Sequence, residues 1–175
     1  MPIRSRSTPL RAFKVVHPLL DEVNIRLLEQ LQTNPRMPMT ELARRVQMSA
    51  PSVTERVHRL EEAGVIAGYR LEVDPRALGL PVAAYVRIRP APGQLAKVAE
   101  LAQRTPAVVE CHRITGEDCF VLKVYVAAVD QLEKVLDTFL LFGTTTNSIV
   151  QSSPVPLWPV PLPTTPPVGA APRRR

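Results

Sequence analysis

At Gly64 the spacing of apolar residues changes, and the change divides the chain. Ahead of it, Leu20, Val23, Leu27, Leu28 and Leu31 fall on one helical stripe. Leu42 and Val46 begin a second stripe, and Val53, Val57 and Leu60 form a third. Behind Gly64, short aliphatic runs alternate with polar residues between glycine and proline punctuation, the pattern of strands. A helical unit followed by a unit built on a sheet satisfies both patterns, which makes this an α+β chain.

The helix ends are set locally. Asp21 and Glu22 suit the positive end of the first helix, and Asn34-Pro35 stops it. The second helix is "MTELARRV" (39–46); Pro38 has no capping oxygen, so Thr40 is the expected cap. Gln47-Met48 makes a tight turn, Ser49 caps the third helix, Pro51 lies in its first turn, and Gly64 closes it. Two helices joined by so short a turn give a helix-turn-helix.

Beyond Gly64, "VIAGYRLEVD" (65–74) predicts a strand running into a linker punctuated by Pro75 and Gly79. A strand at 81–90, a helix at 94–103, and strands at 108–114 and 119–126 joined at "TGED" follow. A helix at 130–141, with Leu132, Val135, Leu136 and Phe139 inward, and a last strand at 144–153 complete the series. The order β-α-β-β-α-β is that of a ferredoxin-like sheet with both helices on one face. Val121 and Tyr125 point to the opposite face, which is expected to be covered by a second copy, hence a homodimer. The chain thus divides into a flexible basic arm (1–18), a helix-turn-helix domain (19–66) and a strand with linker (67–80). A sheet domain (81–154) and a Pro-rich, partly polyproline II tail (155–175) follow.

Composition narrows the functional classes. A net charge of +6 and a pI near 9.9 favour an anionic partner, although Arg173, Arg174 and Arg175 are concentrated in the tail. Cys111 and Cys119 lack CxxC spacing, and with three histidines they build no zinc set. Reduced thiols in a cytoplasm are the expectation. No apolar run has the length of a membrane span, and the N-terminus shows no apolar signal core. No carboxylate pair or nucleophile–base set stands out, and His112 reads as a structural strand residue. No catalytic residue, metal or cofactor is therefore expected.

Five strings occur in order across residues 20–155: "LDEVNIRLLEQLQTNPR", "ELARRV", "SAPSVTERVHRLEEAGVIAGY", "CHRITGEDCFVLKV" and "TTTNSIV". Together they resemble the Lrp/AsnC (leucine-responsive regulator, feast/famine) family of transcriptional regulators. The resemblance implies an N-terminal winged-type helix-turn-helix domain that reads double-stranded DNA. It also implies a C-terminal ferredoxin-like domain of the RAM type, forming homodimers that assemble to octamers and binding an amino acid or similar effector. A cytoplasmic, nucleoid-associated regulator without enzymatic activity is the corresponding expectation. Two departures stand out: Gln47 occupies a turn position where such motifs place glycine, and Cys119 stands where many relatives carry aspartate. The same architecture is similar to siroheme decarboxylase subunits, the enzyme alternative; a ligand-independent nucleoid-type architectural DNA binder is the other.

Candidate site residues fall in two groups. With Val53, Val57 and Leu60 inward, Ser49, Ala50, Pro51, Ser52, Thr54, Glu55, Arg56 and Arg59 form the outward face of the third helix. Arginine can hold guanine by two bonds, glutamate can accept from cytosine, and Ala50 or Pro51 can meet a thymine methyl. Arg44 and Arg45 on the preceding helix are candidate phosphate contacts. The plain alternative is a solvated helix face with an ordinary Glu55–Arg59 pair. The second group is the turn Thr115, Gly116, Glu117 and Asp118, with Thr144, Thr146 and Ser148 on the last strand. Carboxylates there suit an ammonium, and hydroxyls and backbone N–H groups suit a carboxylate; the plain alternative is good turn and strand chemistry.

Overall fold

The structure, a computed structural model, describes residues 17–164. The basic arm, apart from its last residues, and the three terminal arginines lie outside the described residues. The chain forms two compact units, one ending at Arg70 and joined again by the segment from Leu157, the other spanning Leu71–Pro156.

The first unit contains α1 (Glu22–Thr33), α2 (Met39–Val46) and α3 (Ala50–Glu62). Leu27, Leu31, Met37, Leu42, Val46, Val53 and Val57 form its buried core. Each large aliphatic side chain removed from water contributes about 1.5–3 kcal/mol, the main term holding so small a bundle together. Asp21 caps α1, its Oδ1 accepting from the Asn24 N–H at 2.7 Å. Ser49 caps α3 by accepting from the Ser52 N–H. Thr40 does not cap α2: Pro38 holds the cap position without a side-chain bond, and Thr40 lies within the first turn. The helix starts instead on a backbone bond from the Leu42 N–H to the Pro38 carbonyl, with Glu41 placed toward the positive helix end.

Gln47 carries the strain anticipated for it. At φ 57° and ψ 47° it is left-handed, the only non-glycine residue with positive φ among those described. The Met48 N–H reaches back to the Ala43 carbonyl at 3.0 Å, closing the end of α2 as a Schellman-type turn. Met48 then packs on the core beside Ala43.

The segment 65–74 is not a strand. Val65 and Ile66 form a bend, and residues 67–74 have no ladder partner among the described residues. Ile66 nevertheless packs on the helical core, and its N–H bonds the Leu60 carbonyl.

The second unit runs from a 3₁₀ turn (Pro75–Leu78) through β1 (Val82–Pro90), α4 (Leu95–Arg104), β2 (Val108–Arg113) and β3 (Phe120–Val126). It ends with α5 (Val129–Leu140) and β4 (Gly143–Ile149), several residues shorter than the predicted last strand. The strands pair antiparallel in the order β2-β3-β1-β4, the ferredoxin-like order. Ala84, Val86, Ile88, Phe120, Leu122, Val124 and Val126 share one face and pack on Val98, Ala102, Leu132, Leu136 and Phe139 from α4 and α5. At Gly143 a side chain has no room: an added Cβ would lie 2.8 Å from the Pro90 Cα and closer still to the Arg89 carbonyl.

The other sheet face is more polar than Val121 and Tyr125 alone suggested. Both are half-buried, and Tyr85, Arg87, Arg89 and Lys123 occupy the same side, one residue out of phase with the core positions. Cys111 and Cys119 are free thiols.

Candidate nucleic-acid interface and effector turn

Burial separates the residues of α3. Val53, Val57 and Leu60 are inward, whereas Pro51, Thr54, Glu55, His58 and Arg59 are exposed. A shallow open groove runs along this exposed side, bordered by Met39 and Thr40 of α2 and by Pro51, Thr54, Glu55 and Arg59 of α3. Met39, Thr40 and His58 join the face although they were not among the predicted contacts. Met39 and Thr40 reach the face through the α2–α3 crossing, which no local pattern encodes, whereas His58 follows from the period of α3 itself. Arg59 pairs with Glu55 one turn earlier, and His58 lies 3.4 Å from Glu62. The first turn of α3 contains no acidic residue, so its positive end does not repel an anion, although Pro51 lacks an N–H and Ser49 already accepts from the Ser52 N–H.

Arg56 behaves differently. Its Nη1 donates to Asp21 Oδ2 at 2.7 Å and to Asn24 Oδ1 at 3.0 Å, tying α3 to the start of α1. Asn24, the buried polar residue of the core, is satisfied on both sides, since its Nδ2 donates to the Leu19 carbonyl at 2.6 Å. Asp21 thus uses one oxygen to cap α1 and the other to hold Arg56. This three-residue clasp is an internal bond between helices.

Arg44 and Arg45 are exposed on α2 and both engage Glu41, at 2.8 and 2.9 Å; Arg45 also donates to Gln30 Oε1. The hydrogen bonds from Arg44 and Arg45 hold the Glu41 carboxyl down to about 2, below its ordinary value of 4.5. One carboxylate therefore organises two guanidinium groups on the outer surface. Ser49 and Ser52 share a hydroxyl contact of 2.8 Å at the helix start, beside the half-buried Ala50.

In the sheet unit the two predicted effector groups come together through residues not foreseen as site members. The Ile114 N–H bonds the Cys119 carbonyl, closing a turn in which Gly116 has φ +110°, a conformation that disfavours any other residue. Thr115, Gly116 and Glu117 are exposed and Asp118 is half-buried. Glu117 pairs with Arg89, and Asp118 lies 3.7 Å from Arg87. On the other side of β1, Arg89 stands opposite Thr144, Arg87 opposite Thr146, and Tyr85 opposite Ser148. Arg87 and Arg89 therefore pair with the acidic turn and stand in register beside the hydroxyl row. Their alternation in "YVRIR" was the available signal, but strand register decided what they would meet.

Comparison with known proteins agrees with this geometry. Residues 20–61 match an AsnC-type helix-turn-helix domain, and residues 83–157 match an Lrp/AsnC ligand binding domain. The chain is 33% identical over 133 residues to the HTH-type transcriptional regulator LrpC of Bacillus subtilis, covering 76% of this chain and 92% of that protein. The solved structure of B. subtilis LrpC superposes with a TM-score of 0.73 at 33% identity, over 76% of this chain and 95% of that one. A feast or famine regulatory protein from M. tuberculosis complexed with L-methionine gives a TM-score of 0.72 at 32% identity, covering 76% and 92% of the respective chains. With both domains matched in order and the LrpC match spanning nearly all of that relative, the chain belongs to the Lrp/AsnC family.

Proposed function

We propose that this chain is a sequence-specific DNA-binding transcriptional regulator in which α3 reads the major groove. The exposed, polar face of α3, mounted on an aliphatic core, carries this reading. Arg59, Glu55, Thr54 and Pro51 approach base edges, while Arg44, Arg45 and the N-terminus of α3 meet phosphates. Arg56 positions the helix through Asp21 and Asn24. LrpC is named a transcriptional regulator and the tuberculosis relative a regulatory protein, which supports a regulator over an enzyme.

The regulator acts as a homodimer that assembles further, with two α3 helices entering successive major grooves about 34 Å apart. The segment after Gly64 supports a second copy, because Leu71 and Val73 are exposed there with no ladder partner among the described residues. An amino acid or similar effector bound at the turn 115–118 and the row Thr144, Thr146, Ser148 would shift the balance of assemblies through its differential affinity. Methionine in the tuberculosis relative supports an amino-acid ligand. Glu117 and Asp118 are already paired here, so an incoming ammonium must displace Arg89 or Arg87.

Retention of genomic DNA fragments tests the reading. Arg59→Ala should lower specific retention by about tenfold, one bidentate base contact's worth, with the oligomer intact. Wild-type retention should also fall steeply with salt. Unchanged retention by an Arg59→Ala, Arg44→Ala double variant counts against α3 as the reader.

A further inference from the structure

The C-terminal segment leaves the sheet unit at Pro156 and belongs to the helical unit from Leu157 onward. The family match ends at residue 157, and LrpC is covered almost completely while this chain is not, so the segment is an addition to the shared fold. Pro159 borders an apolar groove floored by Leu28 and Leu31 of α1 and walled by Pro35, Val65 and Ile66. Beside it, the Gln32 side-chain amide donates to the Val160 carbonyl at 3.0 Å. Leu162, three residues beyond Pro159, is half-buried, as is Pro163.

This chemistry suits the groove. Pro159, Pro161 and Pro163 remove N–H donors from the stretch while every carbonyl remains, and Gln32 supplies a donor to one of those carbonyls. Polyproline II has three residues per turn, which places residues 159 and 162 on one side. Its backbone is already restricted, so little freedom is lost on docking, and tethering to the same chain raises its effective concentration at the groove.

We propose that Leu157–Thr164 is a strap seated in the groove between α1 and the exit segment 65–70 of its own chain. Seated there, it gives the helical unit a second covalent connection to the sheet unit, at 156–157 in addition to 70–71. The strap holds the exit segment against α1 and restricts reorientation of the reading helix. This last effect rests on the proposed DNA reading; the seat itself does not.

Trp158, the single tryptophan, lies in the strap and is 68% exposed, so it reports on mobility without being needed for packing. In the full-length protein, time-resolved Trp158 anisotropy should decay with overall tumbling. In Gln32→Ala, Pro159→Gly and Leu162→Asp it should acquire a fast local phase, with the helical content unchanged. A fast phase already dominant in the wild type overturns the strap. With Cys111→Ala and Cys119→Ala as background, Gln32→Cys and Val160→Cys should be cross-linked within one chain by a short bismaleimide, which alkylates both thiols. Cross-links between chains would assign the groove to a partner's tail and overturn the same-chain seat. If the anisotropy and cross-link agree with the strap, Gln32→Ala should also tolerate altered half-site spacing. Failure there alone, with the seat intact, would count against the DNA-spacing role.

Discussion

The helical unit and the sheet unit treat their polar groups in opposite ways. On α3 the exposed side carries Pro51, Thr54, Glu55 and Arg59 without any bond to another helix among the described residues, while Arg56 of the same helix is half-buried and bonded to Asp21 and Asn24. On the sheet, Arg87 and Arg89 pair with the acidic turn and stand in register beside the hydroxyl row. The first arrangement also holds its arginines in ion pairs, Arg59 with Glu55 and Arg44 and Arg45 with Glu41, but each pair lies within a single exposed helix. The second must break ion pairs to admit a small ligand, so its affinity is set by exchange of partners as much as by contact. Exposure alone therefore says little about a site; what matters is which bonds binding must replace.

The strongest challenge to two separately held units is to damage one core. Phe139 is fully buried in the sheet unit, and Phe139→Ala should cost about 3–5 kcal/mol. Hydrogen exchange should accelerate in β1, β3 and α5 while α1–α3 keep their protection; joint loss would show that the units fold as one.

Contrasting Arg56 with Arg59 sharpens the division inside α3. Arg56→Ala removes charged bonds to Asp21 and Asn24 and should destabilise the helical unit by about 1.5–3 kcal/mol, read by chemical denaturation. Arg59→Ala removes an exposed i,i+4 pair and should cost under about 0.5 kcal/mol, yet weaken DNA retention. Equal stability losses would erase the distinction.

Gly143→Ala should cost about 1–3 kcal/mol by forcing β4 away from the Arg89–Pro90 backbone, with the helical unit unaffected. Amide exchange along β4 would locate the effect.

The smallest effect is a pH edge confined to the helical unit. Burial, then its bond to Glu61, pushes the Tyr69 hydroxyl up to about 12 from 10. The folded state thus favours the neutral phenol, so this contribution is complete below pH 10 and lost as pH rises toward 12. Tyr69→Phe should flatten the alkaline limb of the helical unit's melting curve; an unaltered limb would exclude Tyr69 as its source.

Much of the fold is legible because its signals are short-range. The stripe Val53, Val57, Leu60, the Ser49 cap, the Gln47 turn and the strand alternation around Phe120 each specify an element from neighbouring residues. What failed depended on longer range. Residues 65–74 have strand-like composition, but a strand needs a neighbour, and among the described residues none is supplied. Arg56 and Arg59 look alike in sequence, yet at 3.6 residues per turn they lie about 60° apart around the helix. That angle brings one to Asp21 and leaves the other in solvent. Arg87 and Arg89 were missed as site members because only the pairing of β1 with β4 sets them between the threonines and the turn.

The Asp21–Asn24–Arg56 clasp fixes the rotation of α3 about its own axis. A small roll of that helix would break a charged bond and expose the Asn24 amide before it presented a new set of side chains outward. On the proposed DNA reading, this clasp would set which side chains of α3 face the bases. Altered operator preference can consequently arise from changes at position 21 or 24, far from any base, by turning the dial instead of replacing the letters.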